Sequence, residues 1–182
     1  MTAHVAAVAP ARLLDVGCGE GLVASHLHGH GLRLDYLGLD VSADAVAAAT
    51  RRAPALRFTV GDLLADPPPP GPWDLVMCLE VLEHLREPRA AVHRLASVAR
   101  RGGGEPGHVL VSVPWEPWFR LGNLARGQHL AQLGNHPEHV QAFGPRSLAT
   151  LLGAELDDVR VEGCFPWLVG VGRARVSPAA AR

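Results

Sequence analysis

The sequence predicts an α/β protein: a doubly wound, mostly parallel sheet of seven strands whose far edge is an antiparallel C-terminal hairpin. Three observations point to it. Apolar runs suited to buried strands alternate with helix-forming segments as far as residue 113, which is the pattern of successive βαβ units. The first run, Leu13-Leu14-Asp15-Val16, enters a turn with glycine at every second position, Gly17-Cys18-Gly19-Glu20-Gly21, and a helix-like segment follows at once. The last two runs are joined by a tight turn at Phe165-Pro166, and strands joined that way pair antiparallel.

Taken in order, residues 1–11 are Ala-rich and short, a lead-in more than a domain. Arg12 to Val16 is the first strand, and Leu22 to Leu27 suits a short helix that Gly29 and Gly31 end. Asp35 to Asp40 is a second buried strand closing on a carboxylate. Ser42 is then a good N-cap for a helix over Ala43 to Arg52, with alanines inside and arginines at its C-terminal end. Leu56 to Val60 is the third strand, followed by Gly61-Asp62. Pro67-Pro68-Pro69-Pro70 rules out a regular helix before the fourth strand, Trp73 to Leu79, and implies a stiff surface connection. Glu80 to Glu87 reads as a loop or short turn; Pro88 opens a helix to Arg101, and Gly102-Gly103-Gly104 stops it. His108 to Val113 is the fifth strand. Residues 114–144 form a long insertion rich in aromatics and histidines, ahead of a helix near Arg146 to Leu152. Val159 to Cys164 and Trp167 to Arg173 make the hairpin, and the tail from Val176 is expected to be disordered.

A chain of 182 residues is most simply one domain, here 1–182 with a lid-like insertion at 114–144. A formal net charge of −1 exerts no global pull toward nucleic acid or an anionic membrane. Cys18, Cys78 and Cys164 are an odd set with no close pair, which argues against a disulfide framework or zinc cluster. The N-terminus lacks the pattern of a signal peptide and no apolar run reaches membrane-spanning length, so the expected location is cytoplasmic.

Three features fall at successive strand ends, where ligands sit in open α/β sheets: the glycine turn, Asp40 and Asp62. Gly17 and Gly19 allow a close backbone approach, with turn N–H groups available to a cofactor. Asp40 is placed to accept from two ribose hydroxyls and Asp62 from an adenine amino group, although an Asp after a strand is commonly a turn or cap residue. Gly21 comes too early for the third glycine of a dinucleotide fingerprint, and no Walker lysine-hydroxyl pair is present.

With these residues in hand, Leu14-Asp15-Val16-Gly17-Cys18-Gly19-Glu20-Gly21 resembles motif I of the class I S-adenosylmethionine-dependent methyltransferases. Leu39-Asp40-Val41-Ser42 resembles their acidic loop, Gly61-Asp62-Leu63 their adenine-contact segment, and Trp73 to Leu85 their fourth motif. The resemblance is strong over residues 11–113 and topological beyond. It implies a Rossmann-like fold with S-adenosylmethionine as cofactor. Asp15, Gly17 and Gly19 would then face the methionine part, Asp40 the ribose, Asp62 with Leu63 the adenine, and Leu79 with Glu80 the methyl-donor end, with Cys18 and Val41 also at the cofactor. Two departures are the missing helix between the third and fourth strands and the near absence of N-terminal helices.

For transfer to a hydroxyl, a base helps remove the proton; the candidates are Glu80, Glu83 and His84 beyond the fourth strand and His129, His136 and His139 in the insertion, of which Glu83, His84 and His139 are taken as catalytic. Glu80-Val81-Leu82-Glu83-His84 resembles a Glu-x-x-Glu-His that binds a divalent cation in small-RNA 2′-O-methyltransferases and ubiquinone-pathway O-methyltransferases, with His139 at the place of a further ligand. The reading preferred for this segment is structural, so a divalent metal is an open option and not the expected one. The expected function is methyl transfer to an oxygen or nitrogen of a small-molecule acceptor, with no nucleic-acid or membrane partner. The alternatives are a metal-dependent RNA 2′-O-methyltransferase, disfavoured by the lack of a basic tract, and a non-catalytic S-adenosylmethionine-binding protein. In the insertion, Trp115, Trp118 and Phe119 with Arg120 and Arg126 are the lid candidates. The acceptor and the oligomeric state are not legible.

Overall fold

The computed structural model describes residues 1–100, 102–116, 118–119 and 140–175. The strands are β1 (Arg12–Val16), β2 (Asp35–Asp40), β3 (Arg57–Val60), β4 (Leu75–Leu79), β5 (His108–Pro114), β6 (Leu156–Cys164) and β7 (Trp167–Ala174). They form a seven-stranded sheet in the order β3-β2-β1-β4-β5-β7-β6. Pairings among β1 to β5 are parallel, and β7 lies antiparallel between β5 and β6. The expected sheet and its terminal hairpin are therefore both present. From β1 the chain first builds outward to β2 and β3, then returns to place β4 on the other side. That reversal opens a crevice at the carboxyl ends of the strands.

The helices are α1 (Thr2–Val8), α2 (Leu22–Gly29), α3 (Ala43–Arg52), α4 (Pro88–Val98) and α5 (Pro145–Gly153). At the start of α3 the Ser42 hydroxyl accepts the Ala45 N–H at 3.2 Å, and Arg51 and Arg52 lie in its last turn. The sheet has an apolar layer on each face, as the pleat requires. Leu14, Val76, Cys78, Val109 and Val111 face α4 and α5, while Leu13, Leu75, Met77 and Leu110 face the side of α1 and α2. Burial on both faces explains why β1, β4 and β5 read as apolar runs without alternation.

Several boundaries differ from expectation. The lead-in contains α1, whose Val5 is fully buried. The fourth strand begins at Leu75, because Trp73 bridges to Ala99 and Arg100, and the Asp74 carboxylate takes the N–H groups of Ala11 and Arg12 at 2.9 Å each. The same bridge ends α4 at Val98 and not at Arg101. The sixth strand starts earlier, at Leu156, with a register shift between Asp157 and Arg160. The expected absence of a helix between β3 and β4 matches the element order. Most of the lid-like insertion and the tail from Val176 lie outside the described residues. Among the described residues, no helix is long and apolar enough to cross a membrane.

Candidate functional site

The crevice is a cleft of about 380 Å³. Successive strand ends supply its wall: Gly17 after β1, Asp40 at the end of β2 with Val41 next to it, Asp62 and Leu63 after β3, and Glu80 and His84 after β4. Ala91 and Leu95 of α4 give it an apolar side.

Gly17 has φ 76°, and a Cβ there would stand 2.4 Å from Val81 Cγ2. Glycine is required at this point both for the left-handed backbone and for the closeness of the segment after β4. The turn's amides are not the free donors expected from the sequence. Gly17 and Cys18 donate to the Leu39 carbonyl at 2.8 and 3.1 Å, and Gly19 donates to Asp40 Oδ2 at 2.8 Å. Ser42 N–H donates to the other Asp40 oxygen at 3.0 Å. Asp40 thus ties the glycine turn to the start of α3, and each carboxylate oxygen keeps a lone pair for a ligand hydroxyl.

Asp62 is both a cleft residue and a turn residue. Its Oδ1 accepts the Leu64 N–H at 2.8 Å, and its own N–H donates to Asp66 Oδ2 at 2.8 Å. Arg94 of α4 reaches across to donate to the Leu63 carbonyl (2.9 Å) and the Asp66 carbonyl (2.8 Å). This guanidinium holds the connection in place where a crossover helix is missing.

Asp15, Cys18, Gly19 and Leu79 were expected at the cofactor but are not among the lining residues. Asp15 is buried; the Tyr36 hydroxyl donates to its Oδ2 at 2.6 Å and its Oδ1 has no partner. Burial, opposed by the Tyr36 bond and reinforced by the Asp40 charge, pushes its carboxyl up to about 7. Burial, with the Asp15 and Asp40 charges, raises the Cys18 thiol to about 12, so it is not a thiolate nucleophile.

After β4 the chain forms a 3-10 turn over Leu82–His84. Glu80 carries a left-handed backbone, φ 55°. Its Oε1 accepts from Ser112 Oγ at 2.7 Å and its Oε2 from Trp167 Nε1 at 2.6 Å. Burial raises its carboxyl above the usual range, against the pull of those two donors and of His84. Glu83 turns inward: its side chain is buried, its Oε2 has no partner, and burial pushes it up to about 8. Its carbonyl accepts the Val140 and Gln141 N–H groups at 2.9 and 3.1 Å, anchoring the chain where it re-enters the described region. His84 is exposed on the cleft wall. His139, with His129, His136, Arg120 and Arg126, lies outside the described residues. Among the described residues, no group of three or more His, Cys, Asp or Glu is placed to hold a metal ion.

Sequence reasoning missed Ser112, Trp167 and Val81. Trp167 is 87 residues from Glu80 and meets it only because β7 inserts beside β5.

A mostly parallel sheet with a glycine turn after β1 and carboxylates at the ends of β2 and β3 defines a protein of the Rossmann-like class, in which ligands sit beyond the carboxyl ends of the strands. The model of a family described as "Methyltransferase domain" matches residues 3–155. The chain belongs to that methyltransferase family, and the resemblance of its motifs to class I S-adenosylmethionine-dependent methyltransferases is borne out. Relatives described as ubiquinone biosynthesis O-methyltransferase include one from Xanthomonas euvesicatoria pv. vesicatoria, 32% identical over 182 residues, covering 93% of this chain and 72% of the relative. One from Albidiferax ferrireducens is 33% identical over 172 residues, covering 85% and 63%. One from Alkalilimnicola ehrlichii is 37% identical over 108 residues, covering 56% and 41%. The chain thus spans between 41% and 72% of these relatives' lengths. Among solved structures, human N-acetylserotonin methyltransferase in complex with SAM superposes with a TM-score of 0.69 at 19% identity, covering 93% of this chain and 49% of that one. The S-adenosylmethionine-dependent methyltransferase SibL gives 0.71 at 21% identity, covering 92% and 51%. At such identities the likeness is one of fold.

Proposed function

We propose that the protein transfers a methyl group from S-adenosylmethionine to an oxygen of a small-molecule acceptor. The observation that carries this reading is the order of wall residues across the cleft: Asp62, Asp40, Gly17 and Glu80 at the carboxyl ends of adjacent strands β3, β2, β1 and β4. Neighbouring strands are about 4.8 Å apart, so this row matches an extended nucleoside with an amino-acid arm. In this reading Asp62 and Leu63 hold the adenine, Asp40 the ribose hydroxyls, Gly17 lets the chain close on the ligand, and Glu80 marks the donor end. The residues fit the group: acceptors for hydroxyls, an apolar wall from Leu63, Ala91 and Leu95, and a glycine whose Cβ would fill the space at Val81. When bound, the cofactor supplies a methyl group on a sulfonium, already activated for displacement. The protein's share is to align the acceptor and exclude water. Oxygen is preferred over nitrogen as the target because the relatives are described as O-methyltransferases. Of the catalytic candidates, His84 lies on the cleft wall, which supports it as the base for a hydroxyl proton, whereas the Glu83 carbonyl holds the segment that follows the insertion.

Thermal unfolding with S-adenosylhomocysteine tests the cofactor site. At a hundredfold excess over Kd the gain is about 2.7 kcal/mol, an increase of about 5–10 °C. NAD is expected to give no shift, and Asp40→Ala to abolish the response to S-adenosylhomocysteine. A screen of hydroxyl and amine acceptors with labelled S-adenosylmethionine then reads the target atom; label found only on nitrogen would overturn the oxygen assignment.

A further inference from the structure

Glu80 combines features that simple architecture does not require. It is a non-glycine residue with φ 55°, a conformation that costs about 1 kcal/mol or more and persists where surrounding contacts impose it. Here those contacts come from two other strands. Ser112 of β5 and Trp167 of β7 each donate to one carboxylate oxygen, at 2.7 and 2.6 Å, distances in the range of short charge-assisted hydrogen bonds. Trp167 is 40% exposed, so water could satisfy its indole N–H at no structural cost. Its N–H is committed to Glu80 all the same. The hairpin turn is also stitched to the chain after β5, since Pro166 O accepts the Trp115 N–H at 3.0 Å and the Trp115 ring fills the space beside Gly163. The result is a carboxylate fixed in one orientation at the β4 end of the cleft, beyond the positions read as adenine and ribose sites.

We propose that Glu80 receives the cationic amino-acid end of the methyl donor, and that Trp167 and Ser112 are positioning residues that hold its carboxylate for that contact. The inference rests on the S-adenosylmethionine reading above and deepens it by assigning the terminal hairpin a part in donor binding. A fixed carboxylate favours a cation because the acceptor geometry is set before binding, and little ordering remains to be lost. Two donors, one on each oxygen, leave the carboxylate with further lone pairs for a cation.

The test compares two nucleosides by calorimetry on the full chain. S-adenosylhomocysteine carries the α-ammonium, and 5′-methylthioadenosine keeps adenine, ribose and sulfur but lacks the amino-acid arm. Glu80→Gln is expected to weaken S-adenosylhomocysteine about tenfold, with 5′-methylthioadenosine changed by less than about twofold. Trp167→Phe keeps the ring and removes the N–H; it is expected to weaken S-adenosylhomocysteine about three- to fivefold and spare the truncated nucleoside. In the Glu80→Gln background Trp167→Phe should add nothing, because it acts through the carboxylate. Equal losses for both nucleosides, or full additivity in the double variant, would show a merely structural tryptophan and overturn the proposal. A spectroscopic readout accompanies the affinities and needs no ligand: the Trp167 indole N–H resonance of the wild-type protein should lie downfield and return upfield in Glu80→Gln. An indole resonance that does not move shows that the bond is absent in solution, and the proposal falls. Wild-type protein that binds neither nucleoside overturns the cofactor reading itself, whereas binding with unaltered discrimination in the variants overturns the Glu80 assignment alone.

Discussion

Gly17 shows how one residue can be legible in kind and hidden in cause. Its glycine identity follows from a turn after a strand, but the contact that enforces it, Val81 Cγ2 at 2.4 Å from an added Cβ, belongs to the segment after β4. Gly17→Ala is expected to destabilise by about 1–3 kcal/mol and to abolish S-adenosylhomocysteine binding. Adding Val81→Ala should restore part of the stability, leaving the strain of φ 76°; full restoration of both would contradict the backbone argument. Asp15 is the opposite case. Motif resemblance drew it toward the cofactor, yet it is buried against Tyr36 and is not a lining residue. A motif read as text does not say which way the pleat of β1 turns relative to a crevice formed by other strands. Its carboxyl is raised from 3.8 to about 7, chiefly by burial. The folded state therefore holds a proton that the unfolded chain has released between those pH values. The carboxyl's contribution is greatest below its unfolded pKa and is lost as pH rises through its folded one. In chemical denaturation, the stability of wild type relative to Asp15→Asn should fall from about pH 4 to about pH 8. A difference that stays level or grows over that range would sink the assignment.

At the scale of elements, helices and strands with local signals were the readable ones. Ser42 as N-cap placed α3 correctly, and the polyproline run correctly removed a helix between β3 and β4. What replaces that helix was not readable, because its support comes from a side chain about thirty residues on. Arg94 binds the Leu63 and Asp66 carbonyls and so holds the segment read as the adenine contact. Arg94→Ala is expected to lower affinity for S-adenosylhomocysteine and for 5′-methylthioadenosine to the same extent, by about three- to tenfold, since each bond to a charged group is worth about 1.5–3 kcal/mol before water replaces it. Loss confined to one nucleoside would place the effect elsewhere. The ends of α4 and β4 were misjudged for a related reason: the bridge from Trp73 to Ala99 and Arg100 is a meeting of distant segments that no local propensity records.

At the scale of the molecule, strand order and site are one fact. Reversal at β1, with β2 and β3 on one side and β4 and β5 on the other, makes the cleft, and residues at the ends of β1, β2, β3 and β4 line it. The alternation of apolar runs with helices was enough to read this, because a sheet covered on both faces leaves few other ways to pack. The side of the cleft next to β5 and β7 was not legible, since it depends on which strand of the hairpin lies inside. The inner strand is β7, the later of the two. The chain is synthesised from its N-terminus, so β5 waits for its neighbour until the helix Pro145–Gly153 and β6 have emerged. Until then its edge is open and Glu80 lacks the indole donor. Completion of the donor end therefore waits for the hairpin, and a nascent chain halted after Glu155 would carry the glycine turn, Asp40 and Asp62 without the wall beyond them. Such a truncated chain is expected to self-associate through the bare β5 edge, seen as a concentration-dependent rise in mass by light scattering. A monodisperse monomer that still binds S-adenosylhomocysteine would show that the site matures before its final strand.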